Sequence, residues 1–249
     1  MNGGQQAAIR FEGVSKPFNP GPLLKNVSFE VPQGEGFCIL GRSGTGKTKL
    51  LKLILGLQKP DRGKIFVNGE EITALDNASL LRMRQTVGFV FQHAALFDSI
   101  SVADNVAFSL RRHSGKTEDE IREMVRQKLA QVGVEKYGDA MPEYLSPGVR
   151  KRVGFARALA LDPRILLIDD PADGIGYSTA REINSLLLDL KRNRKTTLLI
   201  VSNGVEEARR ISDRFAVLED GQIIFSGSAD ELERSDKGFL RQFASSEEL

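Results

Sequence analysis

The chain has 249 residues, of which 41% are hydrophobic and 27% charged, and its 35 lysine and arginine residues nearly balance 33 aspartate and glutamate residues. This composition predicts one large α/β unit or two small lobes with a common core, and the charge balance does not indicate a nucleic-acid partner. No apolar run reaches the roughly 18 residues of a membrane span, and the N-terminus lacks a signal-peptide pattern. The single cysteine, Cys38, excludes an internal disulfide and favours a reducing cytoplasm.

The N-terminal part predicts β-structure. Residues 9–14 and 27–31 have strand patterns, the second with strict apolar and polar alternation. Between them an exposed turn at 17–22 carries Phe18. Phe18 either anchors this turn on the surface or forms a platform on which adenine stacks, and the residues alone leave both interpretations open.

A glycine-rich loop, GRSGTGKT, lies between an apolar run at 36–40 and an apolar helix start at 49–55. Strand, loop and helix are the context of the phosphate-binding pattern G-x-x-x-x-G-K-[ST], although a chance turn of this composition is the alternative. Lys47 is expected to reach the β- and γ-phosphates of a nucleotide, and Thr48 to offer its hydroxyl to Mg²⁺. The residues predicted to bind the nucleotide are Gly41, Arg42, Ser43, Gly44, Thr45, Gly46, Lys47 and Thr48.

The middle of the chain is rich in helix patterns. A strand at 87–91 runs into Gln92, a helix with an apolar face follows at 101–112, and a capping-box pair at 117 and 120 predicts a helix to about Gly133. A further amphipathic helix is predicted at 150–160, with a basic face formed by Arg150, Lys151, Arg152 and Arg157. We therefore expect residues 100–160 to form a separate helical lobe.

The C-terminal part predicts buried parallel strands. The apolar run at 165–168 ends in Asp169 and Asp170, and a second run at 197–201 is followed by Asn203. Doubly wound α/β proteins bind their ligands at such carboxyl ends of strands. The predicted fold class is thus α/β: a P-loop core with a mainly parallel sheet flanked by helices, an antiparallel β lobe and a helical subdomain.

Four blocks in this order resemble the nucleotide-binding subunit of ATP-binding cassette (ABC) transporters. They are GRSGTGKT, Gln92 after its strand, LSPGVRKRVGFARAL at 145–159, and ILLIDDP at 165–171. The resemblance covers residues 8–235 as one ABC ATPase domain, with 236–249 as a helical tail. Within the family, residues 92–113 and 141–153 are most similar to the Mce-type phospholipid transport ATPases.

The resemblance implies roles for single residues. Phe18 matches the aromatic that stacks on adenine, and Asp169 matches the carboxylate that holds Mg²⁺. Gln92 matches the glutamine that senses the γ-phosphate and Mg²⁺ and opens the loop in contact with the membrane partner. Ser146 and Gly148 match signature residues that cap the γ-phosphate of the opposite subunit. The implied cofactors are ATP and Mg²⁺, and the implied partners are a membrane permease and a second ABC ATPase chain in a head-to-tail dimer.

Four places depart from the family pattern. Asp170 stands where the family has the glutamate that positions the attacking water, and Asn203 replaces the histidine that contacts the γ-phosphate. The signature LSGGQ reads LSPGV, with Pro147 and Val149, and Gly176 replaces an aspartate expected to face the dimer partner. Because catalytic residues and signature are all altered, we expect this ATPase to bind ATP and to hydrolyse it poorly.

The function predicted from these residues is an ATP-binding subunit on the cytoplasmic face of the cell membrane, driving or gating a permease for phospholipid. The loop after Gln92, with Leu96, Phe97 and Ile100, is expected to dock on that permease. One alternative is a non-hydrolysing, nucleotide-dependent scaffold or regulatory cassette. Another is a DNA-repair or translation-associated cassette, a class that usually has long coiled-coil insertions or a second cassette.

Overall fold

The computed structural model describes residues 7–17 and 24–234. Phe18 and the predicted tail at 236–249 lie outside the described residues. In chain order the first half contains β1 (Ala7–Lys16), β2 (Leu24–Pro32), β3 (Gly36–Leu40), α1 (Lys47–Ile54), β4 (Arg62–Val67), β5 (Glu70–Glu71), α2 (Asn77–Gln85), β6 (Val87–Val90), α3 (Val102–His113) and α4 (Glu118–Gln131). The second half contains α5 (Pro147–Ala158), β7 (Ile165–Asp169), α6 (Tyr177–Arg194), β8 (Thr197–Ser202), α7 (Val205–Ile211), β9 (Arg214–Glu219), β10 (Gln222–Ser228) and α8 (Ala229–Glu233).

The N-terminal strands form a small antiparallel sheet in the order β2-β1-β4-β5. Alternating residues of β2 are buried, as its sequence pattern predicts, because one face of the sheet packs on the core. The Phe11 ring on β1 stacks on the Phe29 ring on β2, with ring centroids 4.6 Å apart. This sheet is the predicted antiparallel β lobe.

The larger sheet has six strands in the order β10-β9-β3-β8-β7-β6. All neighbours from β9 to β6 are parallel, and β10 pairs antiparallel with β9. β3, β7 and β8 are buried along their whole length, as their continuous apolar runs predict. Since parallel strands end at one edge, this register brings the residues after Leu40, Asp169 and Ser202 together. The predicted α/β fold class is confirmed.

Helices α3, α4 and α5 form the helical lobe. Thr117 and Glu120 make the predicted capping box at the start of α4. Ser146 caps α5 and Pro147 is its first residue, where a missing backbone N–H costs least. The predicted basic face of α5 is wrong at Lys151, which is buried, because its ammonium finds carbonyl partners inside the protein.

The sequence patterns missed helices α2 and α7. α2 has a recognisable cap, since the Asp76 carboxylate accepts a hydrogen bond from the Ser79 N–H, but its apolar face consists of Leu80 and Met83. α7 spans seven residues after Gly204, too few to show a helical period clearly. Within the described part of the chain, no helix has the length and apolar character needed to cross a membrane.

Candidate nucleotide-binding and hydrolysis site

The loop between β3 and α1 requires glycine for two different reasons. Gly44 and Gly46 have φ angles of 82° and 102°, a left-handed conformation that glycine adopts without strain. At Gly41 a Cβ atom would lie 2.6 Å from the Leu218 carbonyl oxygen, so close packing against β9 excludes a side chain. The loop is therefore built for the backbone to approach a ligand, as the phosphate-binding pattern requires.

Lys47 lies at the centre of this loop and is almost fully buried. Its Nζ donates to the carbonyl oxygens of Gly41 at 2.6 Å and Arg42 at 2.9 Å, and to Asn203 Oδ1 at 2.6 Å. Burial lowers the pKa of Lys47, and the charges of Asp170 and Asp169 oppose that shift. The ammonium group is thus held where the glycine loop and the end of β8 meet.

Thr48 and Asp169 supply oxygen atoms on the other side of the loop. The Thr48 hydroxyl donates to Asp169 Oδ1 at 3.1 Å, at the end of β7. Burial raises the pKa of Asp169, and the hydrogen bond from Thr48 lowers it. Mg²⁺ prefers hard oxygen ligands and is usually bound by one or two carboxylates together with substrate phosphates. The Thr48 hydroxyl and the Asp169 carboxylate are oxygen donors of the kind that suits a magnesium ion.

Asp170 follows directly and has a positive φ of 42°, an uncommon conformation that aspartate tolerates better than most residues. Its N–H donates to the Val201 carbonyl at 3.0 Å, and its carboxylate accepts from Asn203 Nδ2 at 3.3 Å. Burial, reinforced by the neighbouring Asp173, raises the pKa of Asp170 to about 6, while Lys151 and Lys47 oppose the rise. Asn203 thus bridges Lys47 and Asp170.

Gln92 enters the same site from the end of β6. Its Nε2 donates to Asp173 Oδ2 at 3.0 Å, and its backbone carbonyl accepts from Lys151 Nζ at 2.7 Å. His93, the next residue, is exposed, with its Nδ1 3.8 Å from Asp173 Oδ2. The loop at this point is therefore tied to both α5 and the residues after β7.

These groups enclose a cavity of about 360 Å³. The predicted site residues in its lining are Ser43, Gly44, Gly46, Lys47, Thr48, Gln92, Asp169, Asp170 and Asn203. Lys49 and Val201 complete the lining and were not predicted. Three strand ends and a helix start, distant in sequence, thus form one pocket with cationic, anionic and amide groups.

The predicted signature residues lie apart from this cavity. Ser146 is exposed and its hydroxyl accepts from the Val149 N–H at 3.4 Å, as a helix cap does. Gly148 packs against α6, since a Cβ there would lie 3.0 Å from Thr179 Oγ1. Val149 is buried. The start of α5 therefore leaves Ser146 and Pro147 exposed, and neither residue lines this chain's own cavity.

Sequence reasoning missed Lys151 and Asp173. Lys151 donates to the backbone of Gln92 and Asp170, and Asp173 accepts from the Gln92 side chain. A signal for Lys151 exists, because positions 154, 155 and 158, three to seven residues later on the same helix face, are small or apolar. Asp173 lies in an irregular stretch after β7, where no periodicity marks an inward side chain.

A P-loop at the edge of a mainly parallel sheet, with an antiparallel β lobe and a helical lobe, defines an ATP-binding cassette. The model of the ABC transporter family matches residues 24–173. The chain belongs to this family and is an ABC transporter ATP-binding subunit with the fold of an ATPase cassette, as its resemblance predicted.

Relatives and solved structures agree with this assignment. The probable ribonucleotide transport ATP-binding protein mkl of Mycobacterium leprae (strain TN) is 38% identical over 95% of this chain and 68% of that protein. The methionine import ATP-binding protein MetN of Caulobacter vibrioides is 37% identical over 90% of this chain and 68% of that protein. The chain thus spans about two thirds of the length of these relatives. A dimeric ATP-binding cassette, solved in a post-hydrolysis state with ADP and Pi, has a TM-score of 0.83 and 29% identity over 88% of this chain and 98% of its own.

Proposed function

We propose that this ATPase binds Mg-ATP and hydrolyses it slowly, and that it drives or gates a membrane permease for phospholipid from the cytoplasmic face of the membrane. The observation that supports the chemistry best is the cavity in which Lys47, Thr48, Asp169 and Asp170 meet. Single-turnover hydrolysis of ATP by the purified chain tests this core of the proposal. A chain that binds ATP and releases no phosphate over hours would favour the scaffold instead.

The binding chemistry follows from the loop. Lys47 exchanges its carbonyl and Asn203 partners for phosphate oxygens, which charge-assisted hydrogen bonds favour. Thr48, Asp169 and Gln92 would hold Mg²⁺, which neutralises charge that develops on the phosphates. Phe18, outside the described residues, is proposed to stack on adenine. ATP affinity then depends mainly on Lys47 and the loop N–H groups.

Asp170 is the proposed base that orients and deprotonates the attacking water. With its pKa raised to about 6 it is mostly ionised near pH 7 and still basic enough to accept a proton. The Asp170 side chain is one methylene shorter than that of a glutamate, so its carboxylate oxygens reach about 1.5 Å less far. Asn203 contributes an amide that cannot carry positive charge to the γ-phosphate. Both substitutions slow the chemical step more than they weaken binding.

The scaffold alternative has one observation in its favour. Asn203 donates to Asp170 and accepts from Lys47. Its amide is therefore hydrogen-bonded both to the proposed base and to the lysine proposed to bind phosphate. A chain held in this arrangement would bind nucleotide and change shape without turnover. The single-turnover experiment separates the two functions.

A second cassette chain is the proposed partner across the nucleotide. Ser146 and Pro147 are exposed at the start of α5, and the Tyr144 side chain beside them is 77% exposed. The aromatic Tyr177, at the start of α6, is also exposed. Exposed aromatic residues of this kind are enriched at protein interfaces. In a head-to-tail dimer the signature of one chain would face the cavity of the other.

The proposed permease contact is an apolar groove of about 480 Å³ between α2, α3 and the loop after β6. Its exposed lining residues include Leu81, Phe91, Phe97 and Phe108. Phe97 is 45% exposed, as expected for a docking residue. Leu96 differs from the expectation, because it packs partly buried against this chain's own core. Phe97 is therefore the better probe of docking.

Phe97→Asp is expected to reduce recovery of the permease with the tagged chain, from solubilised membranes of the native cell, at least fivefold. A carboxylate placed in an apolar contact loses its hydration on docking, and the apolar partner surface does not replace that hydration. ATP affinity is expected to stay within twofold. Leu57→Asp, at another exposed apolar residue outside the groove, is the control. Full recovery with Phe97→Asp would rule out this docking surface.

Phospholipid as cargo is supported by the resemblance of residues 92–113 and 141–153 to Mce-type ATPases. The relatives carry other cargo in their names, ribonucleotide for mkl and methionine for MetN. Adding phospholipid, ribonucleotide or methionine to the purified complex with its permease distinguishes the three. We expect phospholipid to stimulate ATP hydrolysis and the other two to leave it unchanged.

A further inference from the structure

Lys151 is a buried lysine at the junction of three functional segments. Its side chain lies on α5, and the residue is 2% exposed. Its Nζ donates to the Gln92 carbonyl at 2.7 Å and to the Asp170 carbonyl at 2.6 Å. One ammonium group therefore joins α5, the loop after β6 and the residue that follows β7.

Burying an ammonium is costly unless hydrogen bonds and opposite charges compensate. Burial lowers the pKa of Lys151, and the charges of Asp170, Asp173 and Asp169 oppose that shift. The compensating hydrogen bonds go to the backbone carbonyls of Gln92 and Asp170, which are two of the residues that line the nucleotide cavity. Such a residue acts on the backbone that carries the functional groups.

We propose that Lys151 is a positioning residue for ATP hydrolysis, which fixes the backbone of Gln92 and of Asp170 relative to each other. This inference rests on the proposed roles of those two side chains. Lys151 touches neither nucleotide nor water in the proposed reaction. Its effect is to hold the glutamine and the carboxylate in one arrangement around the γ-phosphate.

The backbone has strained conformations at Asp170 and shortly after Gln92. Asp170 has a φ of 42°, with its N–H held by the Val201 carbonyl and its own carbonyl held by Lys151. Ala94 and Ala95, in the loop after Gln92, have φ angles of 60° and 49°. Conformations of this kind persist when surrounding contacts over-determine them. Without the ammonium, Asp170 and Gln92 each lose a contact that defines the direction of the peptide group.

The same helix holds the far end of the loop. Arg157, six residues after Lys151, donates to the Ala94 and Ala95 carbonyls, both at 2.7 Å. α5 therefore binds the loop at two points, and Lys151 extends that attachment to the strand end at Asp170. A displacement of α5, whose N-cap is the exposed Ser146, would move Gln92 and Asp170 together.

The test compares Lys151→Met with Lys128→Met. Lys128 is a matched control because it is also a buried lysine, 7% exposed, and it bonds Asp162 at 2.6 Å, away from the cavity. Asp162 keeps a second partner in Arg194, so the control leaves no charge unpaired. We expect Lys151→Met to lower kcat for ATP at least tenfold with ATP Kd within twofold, and Lys128→Met to leave both within twofold.

The rate of amide hydrogen exchange tests the role of Lys151 without depending on ATP hydrolysis. The N–H groups of Ala94, Ala95, Asp170 and Asp173 are hydrogen-bonded in these segments. Lys151→Met is expected to accelerate their exchange at least tenfold, whereas Lys128→Met leaves it unchanged. Lys151→Arg, which keeps a cation with several donors, should restore part of both kcat and protection. If Lys151→Met fails to fold, Lys151→Gln is measured in the same way.

The outcomes separate this inference from the proposed function. Unchanged exchange in these four amides, or an unchanged kcat in an active chain, overturns the role of Lys151. Equal losses in Lys151→Met and Lys128→Met show a general effect of removing a buried lysine and also overturn it. If the wild-type chain binds ATP without hydrolysing it, the proposed turnover fails, and the exchange comparison alone decides whether Lys151 positions the two segments.

Discussion

The double variant Asp170→Glu with Asn203→His is expected to hydrolyse ATP at least tenfold faster than the wild-type chain, with ATP affinity within twofold. Glutamate extends the carboxylate by about 1.5 Å, and a displacement near 1 Å in a catalytic group can change a rate about a hundredfold. Histidine can return a positive charge to the γ-phosphate, worth about 1.5 kcal/mol over a neutral hydrogen bond, or about tenfold. The two gains need not add, because the residues act in one site.

In the structure the Asn203 side chain bridges Asp170 and Lys47. Asn203 Nδ2 lies 3.3 Å from the Asp170 carboxylate, and Asn203 Oδ1 lies 2.6 Å from Lys47 Nζ. Replacing both residues removes the amide that bridges the Lys47 ammonium and the Asp170 carboxylate. Interactions gained only in the transition state raise kcat without tightening ATP binding.

Phosphate release under single-turnover and steady-state conditions measures the effect. The control is Asp220→Glu with Asn193→His, because Asp220 also has a positive φ, of 45°, and Asn193 is exposed on α6. This control should not change turnover. A further gain from Pro147→Gly would show that the missing N–H of the signature also limits the rate. If the wild-type chain already matches the restored one, hydrolysis is not impaired by these substitutions.

Lys47→Ala is expected to weaken ATP binding at least tenfold. The variant removes a cation whose Nζ is centred in the glycine loop, and charge-assisted hydrogen bonds to phosphate are about twice as strong as neutral ones. A tenfold change corresponds to about 1.4 kcal/mol, a modest share of what such contacts can supply. Isothermal titration calorimetry measures the affinity directly.

Two controls separate binding from folding in that experiment. Lys52→Ala removes an exposed lysine from the same helix, α1, and should leave ATP affinity unchanged. Thermal unfolding of Lys47→Ala is compared with wild type, because Lys47 also satisfies the Gly41 and Arg42 carbonyls. Unchanged affinity in a folded Lys47→Ala variant would contradict the nucleotide site itself.

The sequence by itself determined the parts of this protein that depend on local chemistry. Gly44, Gly46 and Lys47 follow an apolar run, and this spacing of residue types predicts a phosphate-binding loop. In the structure the run is a buried strand and both glycines have positive φ angles. The apolar runs at 165–168 and 197–201 predicted strands buried on both faces. The capping pair at 117 and 120 predicted the start of α4. Each of these signals spans only a few residues, so it can be read from residues that are close together in the sequence.

The tertiary structure decided which groups meet. Lys47 and Asn203 are 156 residues apart, and the register of β3 against β8 brings them within 2.6 Å. Lys151 reads as part of a basic surface because its partners, two backbone carbonyls from other segments, have no sequence pattern. Helices α2 and α7 were missed because short helices gain most of their stability from packing. Burial and partner choice depend on contacts across the fold, and those exist only when the sheet has formed.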